Sequence, residues 1–140
     1  MMSPMPSGMP LTTYKERIMQ TKINWFAIPS TNFARAVRFY ETIFDIKLKP
    51  EQSDGFTLGM FTTQNGDSIG CVMHGQSLVP SENGTVLYLD ATSGIDAVLA
   101  RIPKAGGRIL TEKTELPHNR GFIAHFFDTE GNRLALHAEV

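Results

Sequence analysis

The chain has 140 residues, 41% hydrophobic and 19% charged, with a formal net charge of -1. That is the composition of a globular protein that buries roughly 68–70% of its unfolded surface without staples. The near-zero charge with no basic stripe argues against nucleic acid as the main partner, the single cysteine excludes an intrachain disulfide and fits a reducing cytoplasm, and no run of about 18 apolar residues is present to span a membrane.

Residues 1–21 are rich in Met and Pro and read as a disordered tail. They lack the basic and apolar regions of a signal peptide. The run INWFAIPS over 23–30 reads as a strand, since it is rich in aromatic and β-branched residues and ends at Pro29. Asn32 is a good N-cap. Phe33, Ala36, Val37, Tyr40, Ile43 and Phe44 recur at helical spacing, which predicts a helix over 32–45. Three strands follow at 47–52, 56–63 and 68–74, separated by the turn signals Asp54-Gly55 and Asn65-Gly66.

The polar stretch 76–84 reads as a linker, and then the plan restarts. Residues 85–91 (TVLYLDA) form a strand. Ser93 with Asp96 has the spacing of a capping box. Ile95, Val98, Leu99 and Ile102 make the buried stripe of a second helix, which Pro103 kinks or ends and Gly106-Gly107 closes. Strands at 108–117, 120–127 and 132–138 complete the chain, the last two joined by a turn over Asp128-Thr129-Glu130-Gly131-Asn132.

The order is therefore βαβββ twice, offset by about 62 residues. The expected fold is α+β: two tandem βαβββ modules, 22–75 and 84–138, within one domain over 22–138. Placed edge to edge, the two sheets bend into a half-open barrel with helices outside and a cavity on the concave side.

Residues 32–40 (NFARAVRFY), the run Lys104-Ala105-Gly106-Gly107 and the turn 128–132 carry a family resemblance. Together they resemble the vicinal-oxygen-chelate superfamily of glyoxalase I, bleomycin-resistance proteins and extradiol dioxygenases. Thr129 stands where that family's turn usually has proline. The resemblance implies a homodimer and, in metal-dependent members, His or Glu ligands on four strands. Carried over residue by residue, the first-strand ligand position falls on Trp25 and the last-strand position on Ala135. The fifth-strand position falls near Val86 or Leu87, and the fourth-strand position within 69–73, which holds no carboxylate. A catalytic Zn²⁺ site needs about three protein ligands. No metal and no other cofactor is expected here.

The expected ligand contacts are Trp25, Ala27, Leu87, His118, Ala135 and His137. Trp25, the only tryptophan, offers a flat apolar surface for a planar ligand, or else fills the space a metal would take. His118 lies in a loop at the cavity rim. A symmetric turn over 128–131 sets Ala124 opposite Ala135, puts His137 on the cavity face and turns His125 toward the helices; a slip of one residue reverses this. His74 reads as a strand-end residue, Cys71 as an inert core thiol, and Asp90 as a turn residue or an acid–base group. The expected function is metal-free binding of a small apolar or aromatic molecule, with catalysis left open. The alternatives are a metal-dependent lyase or dioxygenase with non-standard ligands, and a vestigial pocket in an assembly protein.

Overall fold

The computed structural model describes residues 22–140, so the expected tail at 1–21 lies outside the described residues. The elements are β1 (Ala27–Pro29), α1 (Phe33–Phe44), β2 (Lys49–Ser53), β3 (Phe56–Thr62) and β4 (Ser68–His74), then β5 (Tyr88–Asp90), α2 (Ile95–Lys104), β6 (Arg108–Glu115), β7 (Phe122–Phe127) and β8 (Arg133–Ala138). One sheet runs β1-β4-β3-β2 and the other β5-β8-β7-β6. In each, the first strand lies parallel to the last and the other pairs are antiparallel. The chain is thus an α+β fold of two tandem βαβββ modules, whose sheets form a half-open, barrel-like curve with the helices outside.

Helix α1 starts where Asn32 accepts the Arg35 N–H at 3.1 Å, and it ends at Asp45, whose φ of 53° is left-handed. Its stripe of Ala36, Phe39, Tyr40 and Ile43 is buried. One core draws on both modules, with Ile28, Tyr40 and Val72 from the first and Ile102, Phe126 and Leu136 from the second. Phe39 meets Phe126 at 6.1 Å between ring centroids, so the first module's helix packs on the second module's sheet.

The turn 128–132 locks that packing. The buried Tyr40 hydroxyl donates to the Asp128 carboxylate at 2.7 Å. Asn132 Nδ2 donates to the Pro29 carbonyl at 2.7 Å. Glu130, its side chain fully buried, accepts from the backbone N–H groups of Thr31 and Asn32 at 2.9 and 2.8 Å. Arg35 Nε completes the shell at 2.8 Å. A carboxylate at a helix N-terminus is favoured by the exposed N–H groups there. The residues that carry the family resemblance therefore hold the two modules together.

Several boundaries differ from the sequence reading, most by one or two residues. The edge strands β1 and β5 are shorter than 23–30 and 85–91, because ladder pairing to β4 and β8 spans only 27–29 and 88–90. The capping box does not form: Gly94 is the N-cap of α2 and no side chain caps it. Asp90 instead accepts from the Thr92 N–H and hydroxyl, so 90–92 make a local turn and Ser93 falls outside the helix. Pro103 sits in the last turn of α2 without stopping it there, and the chain leaves at Gly106 with φ of 100°.

Candidate functional site

Ladder register decides which side chains share the inner face of a sheet. In the second sheet Ala135 is flanked by His125 on β7 and Tyr88 on β5. Arg133 and His137 lie two residues to either side on β8 and share that face. The opposite face carries Ala124, Phe126, Leu134 and Leu136, all in the core. His125 therefore faces inward, and the assignment from a symmetric turn is corrected by one residue. The cause is local. Five residues lie between the paired Phe127 and Arg133, held in a wide loop because the Asp128 carboxylate accepts both the Glu130 and Asn132 N–H groups at 2.9 Å.

The equivalent row of the first sheet is Ala27, Cys71 and Met60. The duplication thus has an apolar half and a polar half. Trp25 shares the face of Ala27. Its indole lies against the Cys71 thiol, whose pKa burial pushes up against the smaller lowering by that indole. Phe26 turns the other way, over Gly70, where a Cβ would sit 2.3 Å from the ring. Only glycine admits that approach, which fixes the alternation of Trp25 and Phe26.

Because Ala135 is small, Tyr88 and His125 meet across it, their centroids 5.4 Å apart and nearly perpendicular. The Tyr88 hydroxyl lies 3.2 Å from His125 Nε2. Arg133 Nη2 lies 3.3 Å from His125 Nδ1. A guanidinium only donates, so Nδ1 accepts, the ring proton sits on Nε2, and Nε2 donates to the tyrosine oxygen. Burial and then the Arg133 charge lower the His125 pKa, which keeps the ring neutral at pH 7. The Tyr88 O–H is left to donate to a further group.

The edge strands β1 and β5 border a cleft of about 480 Å³, lined by Ile23, Trp25, Ala27, Val86, Leu87 and Tyr88 among others. Trp25 and Tyr88 are 43% and 46% exposed. A hollow of about 190 Å³ adjoins it, sharing Ala27, Thr85 and Leu87 and reaching Ser81, Asn83 and Arg133.

Of the expected contacts, Trp25, Ala27 and Leu87 come together at this cleft. Leu87 also packs against the core, and its neighbour Tyr88 takes the inner face. Ala135 is fully buried under the Tyr88–His125 pair. His137 is on the inner face but lies away from the cleft, 2.7 Å from the Arg120 carbonyl. His118 lies in the β6–β7 turn with φ of 63° and does not join them. Tyr88, His125 and Arg133 were not singled out from the sequence as ligand contacts. The wide Asp128 turn was the signal that could have found His125 and Arg133.

A duplicated βαβββ fold with a cleft between its two edge strands defines a class of protein. Residues 22–136 match the family described as the Glyoxalase/Bleomycin resistance protein/Dioxygenase superfamily, and the chain belongs to it. No curated protein matches the sequence. A Frankia glyoxylase/bleomycin resistance protein/dioxygenase domain superposes with a TM-score of 0.62 at 20% identity, covering 84% of this chain and 91% of that one. An Albidiferax ferrireducens glyoxalase/bleomycin resistance protein gives 0.58 at 14% identity, covering 82% and 96%. Zea mays glyoxalase I gives 0.60 at 17% identity, covering 83% of this chain but 45% of that one. At these identities the likeness is one of fold.

The inner-face residues do not fit the divalent ion that the resemblance implies. The positions on β1, β4, β5 and β8 present Ala27, Cys71, Tyr88 and Ala135, with Trp25 ahead of β1 and no carboxylate or imidazole among them. Among the described residues no group of three or more His, Cys, Asp or Glu could hold a metal ion.

Proposed function

We propose that the chain is a small-molecule-binding member of this superfamily that takes a small apolar or aromatic compound, on the geometry an aromatic one, in the cleft between β1 and β5 without a metal. The observation that carries this reading is the pair Trp25 and Tyr88, each more than 40% exposed on the walls of one cleft. Covering an aromatic side chain contributes about 1.5–3 kcal/mol, and stacking adds about 0.5–1.5 kcal/mol. A planar ligand between the two walls gains from both. The reading includes a homodimer, in which the 83% exposed Ile23 at the cleft mouth meets a second copy.

The test is a titration of the single tryptophan's fluorescence with 2-naphthalenemethanol, repeated on Trp25→Ala by calorimetry. Saturable quenching that tracks binding, with affinity lost in a folded Trp25→Ala, is the expected result. Unchanged affinity in that variant would sink the reading.

A further inference from the structure

We infer that the cleft is built for an anionic ligand, an aromatic carboxylate whose charged end is received by Arg133 and the Tyr88 hydroxyl. The inference rests on the small-molecule reading above and adds the ligand's charge class to it.

Arg133 is a half-buried cation without a counter-charge. The ion pairs among the described residues use Arg35, Lys47 and Lys113. Arg133 Nη2 is spent on a neutral imidazole nitrogen, and its Nε is buried with no partner among the described residues. A partly desolvated guanidinium without a counter-charge is costly unless something completes it, and Nη1, neither hydrogen-bonded nor among the buried unpaired atoms of the described residues, is the donor left for a carboxylate. A second cation stands close by. Phe127 is paired with Arg133 on one side and Arg108 on the other, and the Arg108 guanidinium lies 4.4 Å over the Phe127 ring. The inner face at this corner is thus positive, and no acidic residue lines the hollow that Arg133 reaches.

The hydrogen-bond direction supports the same ligand. Arg133 donates to His125, His125 donates to the Tyr88 oxygen, and the Tyr88 hydrogen is left over for an acceptor. The relay therefore ends in donors, at Arg133 and at Tyr88. The apolar cleft beside Trp25 takes the ring, and the charge lies toward the His125 ring that Tyr88 and Arg133 share.

The experiment compares 2-naphthoate with 2-naphthalenemethanol, matched in ring and differing in charge, by calorimetry on the full chain. The naphthoate is expected to bind at least about tenfold more tightly, the scale of one charge-assisted pair. Arg133→Gln should remove that preference, read as the ratio of the two compounds' affinities in the same variant. Tyr88→Phe, at an exposed position, should reduce it by a few-fold and serves if Arg133→Gln does not fold. Equal affinities for the two compounds, or a preference untouched by either substitution, overturn the anionic inference and leave the aromatic cleft standing. No binding of either compound overturns both.

Discussion

The Tyr88 hydroxyl and the His125 imidazole meet 3.2 Å apart across Ala135, the position where the family's last-strand ligand is expected. The site has not simply lost a carboxylate. A tyrosine from one strand and a histidine from another occupy the space above the alanine, and their hydrogen bond ties β5 to β7 over β8. A larger side chain at 135 has no room. Ala135→Leu is expected to destabilise the fold by about 1–3 kcal/mol through overpacking and to push Tyr88 outward. Urea unfolding measures the first effect, and loss of naphthoate binding in the folded variant the second. A neutral substitution would mean that the two rings are not held over this residue.

Glu130 supplies a pH dependence with a definite sign. Burial alone would raise its pKa, but Arg35 and the N–H groups and hydroxyls around it outweigh burial and hold it at about 2. A carboxylate depressed on folding contributes stability that is complete above its unfolded value of 4.5 and lost as pH falls toward 2. Glu130→Gln should cost about 1–3 kcal/mol at pH 7, and the gap from the parent protein should narrow from pH 5 to pH 3. Thermal melts across that range check it; a gap that stays constant contradicts the ionic role.

Asp128 behaves oppositely. Burial raises its pKa, with Tyr40 the largest of the hydrogen bonds that oppose the rise. A carboxyl raised on folding is favoured by acid, so its contribution grows as pH falls through the folded value. Tyr40→Phe removes a donor to a buried carboxylate and is expected to cost about 1–3 kcal/mol at neutral pH. The carboxyl titration, followed by NMR, should move further up. A titration that stays in place would show that the Tyr40 bond is unimportant.

Trp25 should be cheap to remove from the fold. It lies outside the paired segment of β1 and is half exposed, so Trp25→Ala is expected to change stability by less than about 1 kcal/mol. A large loss in chemical denaturation would mean that the indole is a structural plug over Cys71.

The residues that could be read in the sequence are those whose neighbours are local. The spacing Ala36, Tyr40, Ile43 gives α1 to within a residue at each end, and Ser68–His74 is the strand as read. Trp25 could be placed on the inner face because the family's first-strand position, carried over by the resemblance, falls on it. His125 and Arg133 could not, because their faces depend on how many residues the turn consumes. That number is set by the Asp128 carboxylate bridging two N–H groups within a lock that also needs Tyr40, distant in sequence. Ser93 was misread for a similar reason, since Asp90 competes for the chain just before the helix.

The most direct test is the amide and indole NMR spectrum of the protein titrated with 2-naphthalenemethanol. The account predicts saturable shifts of the Trp25 indole N–H together with the amides of Thr85 to Tyr88, on the two walls of the cleft. Shifts that instead gather around Phe44, Phe61 and Leu89, which line a separate hollow of about 310 Å³, or no shifts at all, would contradict it.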